Sequence, residues 1–395
     1  MNKTLIELFA GVGGFRLGFE KNGFETVWAN QFEPSKKKQD AYECYIHNFG
    51  DSEVHSNEDI NKVDEKKIPD HNVIVYGSPC QDYSVAHSNA KGIEGKKGVL
   101  FWEVVRLMKE KKPPFMLMEN VDRLLKSPSK QRGRDFMVMC KSLNDLGYGL
   151  EWRVINAAEY GFPQKRKRIF LFGFHESTNY YKEFVAQDDK LNNGFFSKEF
   201  PIESISSKKS VVDIELEDDI VVISDTYQAN LHNTGYVIEG RLHSVETIPP
   251  KINPVTLGDI LEKDVDEKYY LNEDELEAWR YLKGAKSIPR VSKTGHSYTF
   301  TEGAIAFPDH LDRPARTMLT SEASKNRSSH VVRDPQTNRL RKITPVEAER
   351  INGFPDNWTE GLSDRMRYFC MGNALVVGLV EKMGKALSDI IDKEV

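Results

Sequence analysis

The sequence predicts an α/β fold: a mostly parallel sheet with helices on both faces, carrying a second, inserted domain. Three observations predict it. Short apolar runs alternate with longer amphipathic stretches through the first half of the chain. That alternation stops near residue 179, and regular helical patterning returns after residue 333. A Gly-rich turn directly follows the first apolar run, where a parallel sheet usually meets its ligand. The length of 395 residues allows two or three domains.

The elements follow in order. The first strand covers residues 5–9 and leads through Ala10-Gly11-Val12-Gly13-Gly14 into a helical stretch over 15–21. A strand over 26–30 precedes a polar helix over 34–48. Strand 73–76 is followed by a helix over 98–110, with Val99, Trp102, Val105 and Leu107 at helical spacing. Lys111-Lys112-Pro113-Pro114 ends that helix, because proline lacks the N–H and clashes with the preceding turn. Strand 115–118, helix 132–146 stopped by Gly147, and strands 152–156 and 168–174 complete the alternation.

Beyond residue 179 acidic clusters occupy 213–219 and 264–277, and the stretch 290–333 turns basic and polar. Thr344-Pro345-Val346-Glu347 is a capping box with Pro at the first helical position, and Gly353 ends that helix. A last helix over 373–391 sets Leu375, Val376, Leu379, Met383 and Leu387 on a core face. The domains expected are therefore 1–178 completed by 333–395, with 179–332 inserted.

Composition excludes several classes. The hydrophobic share is 39%, enough for a core and too much for a disordered chain. No apolar run approaches the ~20 residues that span a bilayer, and no secretory leader is apparent, so a cytoplasmic location is expected. The four cysteines, Cys44, Cys80, Cys140 and Cys370, form no CxxC pair and no disulfide framework. Each is a buried small hydrophobe or a reactive thiol. The net charge is 55 − 60 = −5, yet residues 121–168 carry 11 Lys and Arg against 5 Asp and Glu.

Five motifs carry candidate chemistry, each with a plainer reading beside it. Phe9-Ala10-Gly11-Val12-Gly13-Gly14 lets the backbone approach a nucleotide-like cofactor, although a tight turn would need the same glycines. Gln31, Phe32, Asp59 and Ile60 follow later strands and suit ribose and adenine, or simply line solvated loops. Pro79-Cys80-Gln81 follows strand 73–76 and places a thiol for nucleophilic attack, where most lone cysteines are inert. Glu119-Asn120-Val121 puts a carboxyl group at a strand end, as a proton donor or an ordinary solvated acid. Gln164-Lys165-Arg166-Lys167-Arg168 sets two arginines two residues apart, so both would share one strand face toward an anionic ligand. The bland alternative is a charged edge strand.

In this order the motifs resemble those of DNA (cytosine-5) methyltransferases. The resemblance continues at Arg341-Lys342-Ile343-Thr344-Pro345, Glu347, Arg350, Gly353-Phe354-Pro355 and Gly372-Asn373-Ala374, and it covers about 3–175 and 339–380. It implies a Rossmann-like S-adenosylmethionine-dependent methyltransferase domain, with 179–332 as the variable target-recognition domain. It implies Cys80 as nucleophile and Glu119, Arg166 and Arg168 as catalytic partners. It places the cofactor against Phe9, Ala10, Gly11, Gly13, Gly14, Gln31, Phe32, Asp59, Ile60, Pro79, Asn373 and Ala374, with S-adenosylhomocysteine as product and no metal. The family often has an acid where Gln31 stands and Trp where Phe32 stands. Gln can still hydrogen-bond a ribose hydroxyl.

Duplex DNA is the partner implied, with no membrane. The family resemblance makes a bacterial restriction-modification role plausible, with an endonuclease in the cell but no stable complex, and monomeric action. A cytosine inside a duplex must be flipped out before it can react. The polar loop 81–97 looks suited to closing over the DNA, with Gln81, Ser84, Lys91, Lys96 and Lys97 as contacts. Arg290, Arg313, Arg316 and Arg327 are the candidates for backbone and base contacts. Three alternatives stand beside this reading. An RNA cytosine methyltransferase of the same superfamily would differ in substrate. A DNA-binding relative without catalysis is disfavoured by the intact Cys80, Glu119 and Arg168. A nicotinamide dehydrogenase would leave three motifs without a role.

Overall fold

The computed structural model describes residues 1–77, 100–292 and 295–394. Seven strands form the heart of one sheet: β1 (Thr4–Leu8), β2 (Glu25–Asn30), β3 (His55–Ser56), β4 (Val73–Tyr76), β5 (Phe115–Val121), β6 (Tyr148–Asn156) and β7 (Lys167–His175). Their order is β3-β2-β1-β4-β5-β7-β6, and Thr234–Ile238, Arg241–Val245 and Val212–Glu215 extend it to ten strands. β1 to β5 are parallel, while β7 runs antiparallel to both β5 and β6. Every strand of the first seven except β7 thus points the same way. Helices α1 (Gly14–Glu20), α2 (Asp40–Phe49), α3 (Leu100–Lys111) and α4 (Arg134–Asn144) make the crossovers.

The core follows from the runs already visible in the sequence. All four residues of β4 are buried, as an inner parallel strand covered on both faces requires. Phe101, Trp102, Val104, Val105, Leu107 and Met108 of α3 pack beneath it with Phe136, Met137, Met139 and Leu143 of α4.

Several boundaries differ from those expected. α2 begins at Asp40, and the lysine-rich residues before it are turns. β5 runs past residue 118 through Glu119–Val121, because its ladder with β7 continues as Glu119↔Phe170, Asn120↔Ile169 and Val121↔Arg168. The expected last helix, 373–391, starts only at Val377: Asn373 ends a separate helix, Asp364–Asn373, and Ala374 turns extended at φ −62°, ψ 150° between the two.

The chain divides into two compact units. The first comprises 1–160, 167–252 and 377–395, and the second 161–166 and 253–376. The cuts expected at 178/179 and 332/333 are not where the compact units separate. Residues 212–245 belong with the sheet because Thr234–Ile238 pairs with β6, Thr234 opposite Arg153. Composition reports acidity there but not hydrogen-bond partners.

The second unit has two short hairpins, Lys286–Val291 with Ser297–Glu302 and Val331–Arg333 with Leu340–Lys342, and helices Glu273–Lys283, Pro345–Asn352 and Asp364–Asn373. The expected capping box at Thr344 and Glu347 is present, and Gly353 closes the helix at φ 76°. Buried ions organise this unit. Arg341, fully buried, pairs with Asp334 at 2.8 Å and with both oxygens of Glu347 at 2.8 and 2.7 Å.

Candidate active site

The reactive groups of the sheet unit gather at the carboxyl ends of its parallel strands. β4 and β5 are neighbours with Tyr76 opposite Met118, so Gly77 and Glu119 emerge side by side. A Cβ on Gly77 would lie 3.6 Å from Glu119 Oε2. The Arg168 Nε is 2.8 Å from Glu119 Oε1, and these two side chains are only 15% and 13% exposed. A carboxylate and a guanidinium in such a partly dry pair present complementary donors and acceptors to a bound heterocycle. Pro79, Cys80, Gln81, Ser84, Lys91, Lys96 and Lys97, with the rest of the 81–97 loop, lie outside the described residues. Cys44, Cys140 and Cys370 are all buried, and burial pushes the Cys140 thiol up, away from reactivity.

Three further loops occupy the same edge of the sheet. After β1, Phe9, Gly11 and Gly13 all take positive φ, at 53°, 57° and 84°. Space in front of Gly11 is open, since a Cβ there meets nothing within 4 Å. Gly13 serves packing instead: a Cβ would fall 2.3 Å from the Phe49 ring. After β2, Gln31 is buried and its Oε1 accepts the Gly11 N–H at 2.7 Å, so this side chain braces the Gly-rich loop. Phe32 is half-buried beside it. After β3, Asp59 caps a short turn through the Asn61 N–H at 3.1 Å, and Ile60 is buried in the core. An open glycine, a half-buried ring and a carboxylate on successive strand ends fit a nucleoside-bearing cofactor.

β7 starts at Lys167, so the two-residue alternation expected to align Arg166 with Arg168 does not reach it. Arg166 is buried in the second unit, donating to Met318 O at 3.1 Å and Gly372 O at 3.0 Å. Asn373 and Ala374 also belong to that unit, Asn373 exposed at a helix end.

Two of the expected DNA-contacting arginines prove to be internal braces. Arg316 pairs with Asp309 at 2.6 Å and caps Ser328 O and Ser329 O. Arg327 donates to the carbonyls of Leu282, Gly284 and Gly303. Arg290 lies over the Phe300 ring at 3.9 Å on a hairpin none of whose strand residues is buried, and Arg313 is exposed. In the sheet unit Arg123, Lys126, Lys130 and Arg132 are exposed just beyond β5.

Sequence reading missed two residues that shape this edge. Glu7 is buried in the middle of β1, accepting from Tyr45 Oη at 3.2 Å. Burial pushes its carboxyl up to about 8, against the Arg16 N–H and Tyr45, which lower it. A lone acid inside an apolar strand was the available signal. Asn30 donates to Glu58 O at 2.9 Å and so holds the connection carrying Asp59; nothing local marked it. Among the described residues no group of His, Cys, Asp and Glu could hold a metal ion, and no helix is long and apolar enough to cross a membrane.

A mostly parallel sheet with a Gly-rich loop and an acid–guanidinium pair at its strand ends matches the Rossmann-like methyltransferase fold. Residues 3–389 match the family of C-5 cytosine-specific DNA methylases, and the chain belongs to that family. It is a DNA (cytosine-5) methyltransferase. It is 50% identical to the Type II methyltransferase M.Sau3AI of Staphylococcus aureus, over 99% of this chain and 97% of the relative. The Type II methyltransferase M.HhaI of Haemophilus parahaemolyticus is 28% identical over 95% and 91%. In fold it is similar to DNMT2 of Spodoptera frugiperda, at TM-score 0.61 and 15% identity over 98% and 99% of the two chains. The Entamoeba histolytica methyltransferase EhMeth gives 0.59 at 15% identity over 99% of each.

Proposed function

We propose that Cys80 is the nucleophile, that Glu119 and Arg168 hold the target cytosine, and that S-adenosylmethionine is the methyl donor. The observation that supports this most is the Glu119–Arg168 pair beside Gly77, three residues before Cys80. Cytosine C5 is a poor nucleophile. Addition of the Cys80 thiolate to C6 makes an enamine whose C5 carries the electron pair. Glu119 meets the charge that develops at N3 and accepts from the exocyclic amine, while Arg168 offsets charge on the O2 side. The bound cofactor supplies an electrophilic sulfonium methyl group and leaves as S-adenosylhomocysteine. Loss of the C5 proton to water then expels Cys80 and restores the aromatic ring.

The cofactor would lie against Phe9, Ala10, Gly11, Gly14, Phe32, Asp59 and Ile60, with Pro79, Asn373 and Ala374. Gln31 and Gly13 support the loop rather than the ligand. On the duplex, Arg123, Lys126, Lys130 and Arg132 would meet phosphates. The Arg290 hairpin has the width of a two-stranded ribbon that enters a major groove, with Arg313 in support. The biological setting we infer is a bacterial restriction-modification system, with a monomer acting in the cytoplasm and no stable endonuclease complex.

The test is a target duplex carrying 5-fluorocytosine. Fluorine cannot leave as a proton does, so the wild type is expected to be trapped covalently and Cys80→Ser is not. Trapping at Cys44, Cys140 or Cys370 would overturn the assignment. Bisulfite sequencing of host DNA after expression in a methylation-free strain supplies the recognition sequence. Full conversion at every cytosine would sink the site reading.

A further inference from the structure

The second unit contains a closed ring of hydrogen bonds that the chemistry above does not require. Segment 163–166 lies alongside 315–318: the Ala315 N–H donates to Pro163 O and the Lys165 N–H to Ala315 O, each at 2.8 Å. At Met318 both backbone groups are held. Its N–H donates to Gln164 Oε1 at 3.1 Å, and its carbonyl accepts from Arg166 at 3.1 Å. The other Arg166 nitrogen donates to Gly372 O at 3.0 Å. The Gln164 amide donates to Asn352 Oδ1 at 2.8 Å, and the Asn352 amide donates to Met371 O at 2.9 Å. Gln164, Asn352, Met318 and Met371 are 0% exposed and Arg166 is 1% exposed. Within the same unit, a Cβ on Gly372 would stand 2.4 Å from the Thr320 nitrogen, so backbone is pressed on backbone.

Two segments leave this ring. Residues 373–374 continue one side of it, and the exposed residues Leu319, Thr320, Ser321 and Lys325 continue the other. We propose that Gln164, Arg166 and Asn352 are positioning residues that lock these segments together, so that filling the cofactor site at 373–374 sets the DNA-facing conformation of 319–325. The proposal rests on the reading of Asn373 and Ala374 as cofactor residues.

The physical reason lies in burial. Each ring member gives or accepts through groups with no access to water, and a buried polar group left unpaired is strongly unfavourable. Residues 371–372 therefore cannot shift without carrying Met318 along. A ligand that selects one position of 373–374 selects one position of 319–320 as well, which is a coupling between binding sites.

The experiment compares the affinity of the full chain for target duplex with and without S-adenosylhomocysteine, by fluorescence anisotropy. Wild type is expected to bind DNA about 5–150-fold tighter with the cofactor product present, the usual range of such coupling. Gln164→Glu keeps the shape but sets an acceptor against Asn352 Oδ1. Asn352→Asp keeps the Gln164 link and opposes an acceptor to Met371 O. In both, the enhancement is expected to fall to about twofold or less, while calorimetric affinity for the cofactor product without DNA changes by less than about twofold. An enhancement in folded Gln164→Glu equal to that of wild type overturns the proposal, as does a wild type without any enhancement. Should Gln164→Glu not fold, Arg166→Lys keeps the charge, cannot reach both carbonyls, and gives the same comparison. Failure of the underlying reading is separate: Asn373→Ala would then leave cofactor affinity unchanged.

Discussion

Buried carboxyl groups differ in kind between the two units. In the sheet unit, burial dominates: it pushes Glu7 up to about 8 and Glu151 up to about 7, overcoming the Arg153 guanidinium and the N–H groups of Phe195 and Phe196. In the second unit burial would likewise raise Asp334, but Arg341 and the N–H groups of Thr337 and Gln336 hold it down at about 2. Asp309, also buried, is lowered by Arg316 in the same way. The reason is architectural. A ten-stranded sheet supplies its own order through backbone ladders and can bury an acid in neutral form. The second unit has only short hairpins and helices, and its buried ion pairs tie its turns and short elements together: Arg341 meets Asp334 seven residues before it and Glu347 six after, and Arg316 meets Asp309 seven before. Fully buried charge in the second unit serves architecture.

The largest expected effect tests that division directly. Arg341→Ala leaves Glu347 and Asp334 buried without their cation, a loss of about 3–5 kcal/mol. Hydrogen exchange read by mass spectrometry is expected to show segments 253–376 losing protection before the sheet does. Uniform loss across both units would erase the comparison. Next, Glu119→Gln is expected to lower kcat by about 10²–10³-fold with the thermal midpoint held, whereas the same change at Glu347 lowers the midpoint. A Glu119→Gln protein that unfolds early would make that acid architectural too.

The pH dependence should have opposite signs. Asp334 has a folded pKa below its ordinary value, so its stabilisation is complete above about pH 4 and lost as pH falls toward about 2. Glu7 has a folded pKa above its ordinary value, so its contribution is complete below about pH 4 and falls as pH rises toward about 8. Glu7→Gln is therefore expected to raise the thermal midpoint at pH 8 and change it little at pH 4. A midpoint gain that is equal at both pH values would show that Glu7 is ionised in the fold. The smallest effect falls on the hairpin: Arg290→Ala is expected to weaken specific DNA binding by about 1–3 kcal/mol without moving either unfolding signal.

How far the sequence reached depends on the range of each interaction. The Gly-rich turn, the capping box at Thr344, the stop at Gly353 and the strand 73–76 were legible because neighbours in the chain decide them. The family was legible because the residue types and order of the motifs are so specific. The role of Arg166 was not. Alternation in a strand is a local rule, and the start of β7 at Lys167 is set by pairing with β5 and β6. Arg316 and Arg327 looked like DNA contacts because a basic run looks the same whether it faces phosphate or its own carbonyls.

By itself, then, the sequence determined the α/β class and the family. The tertiary structure decided which cation meets which carboxylate, where one unit ends, and that Gln31 braces a loop. Local propensity and side-chain chemistry are written within a few residues. Burial and pairing are set by partners that the chain brings from far away, as Gln164 meets Asn352, 188 positions on.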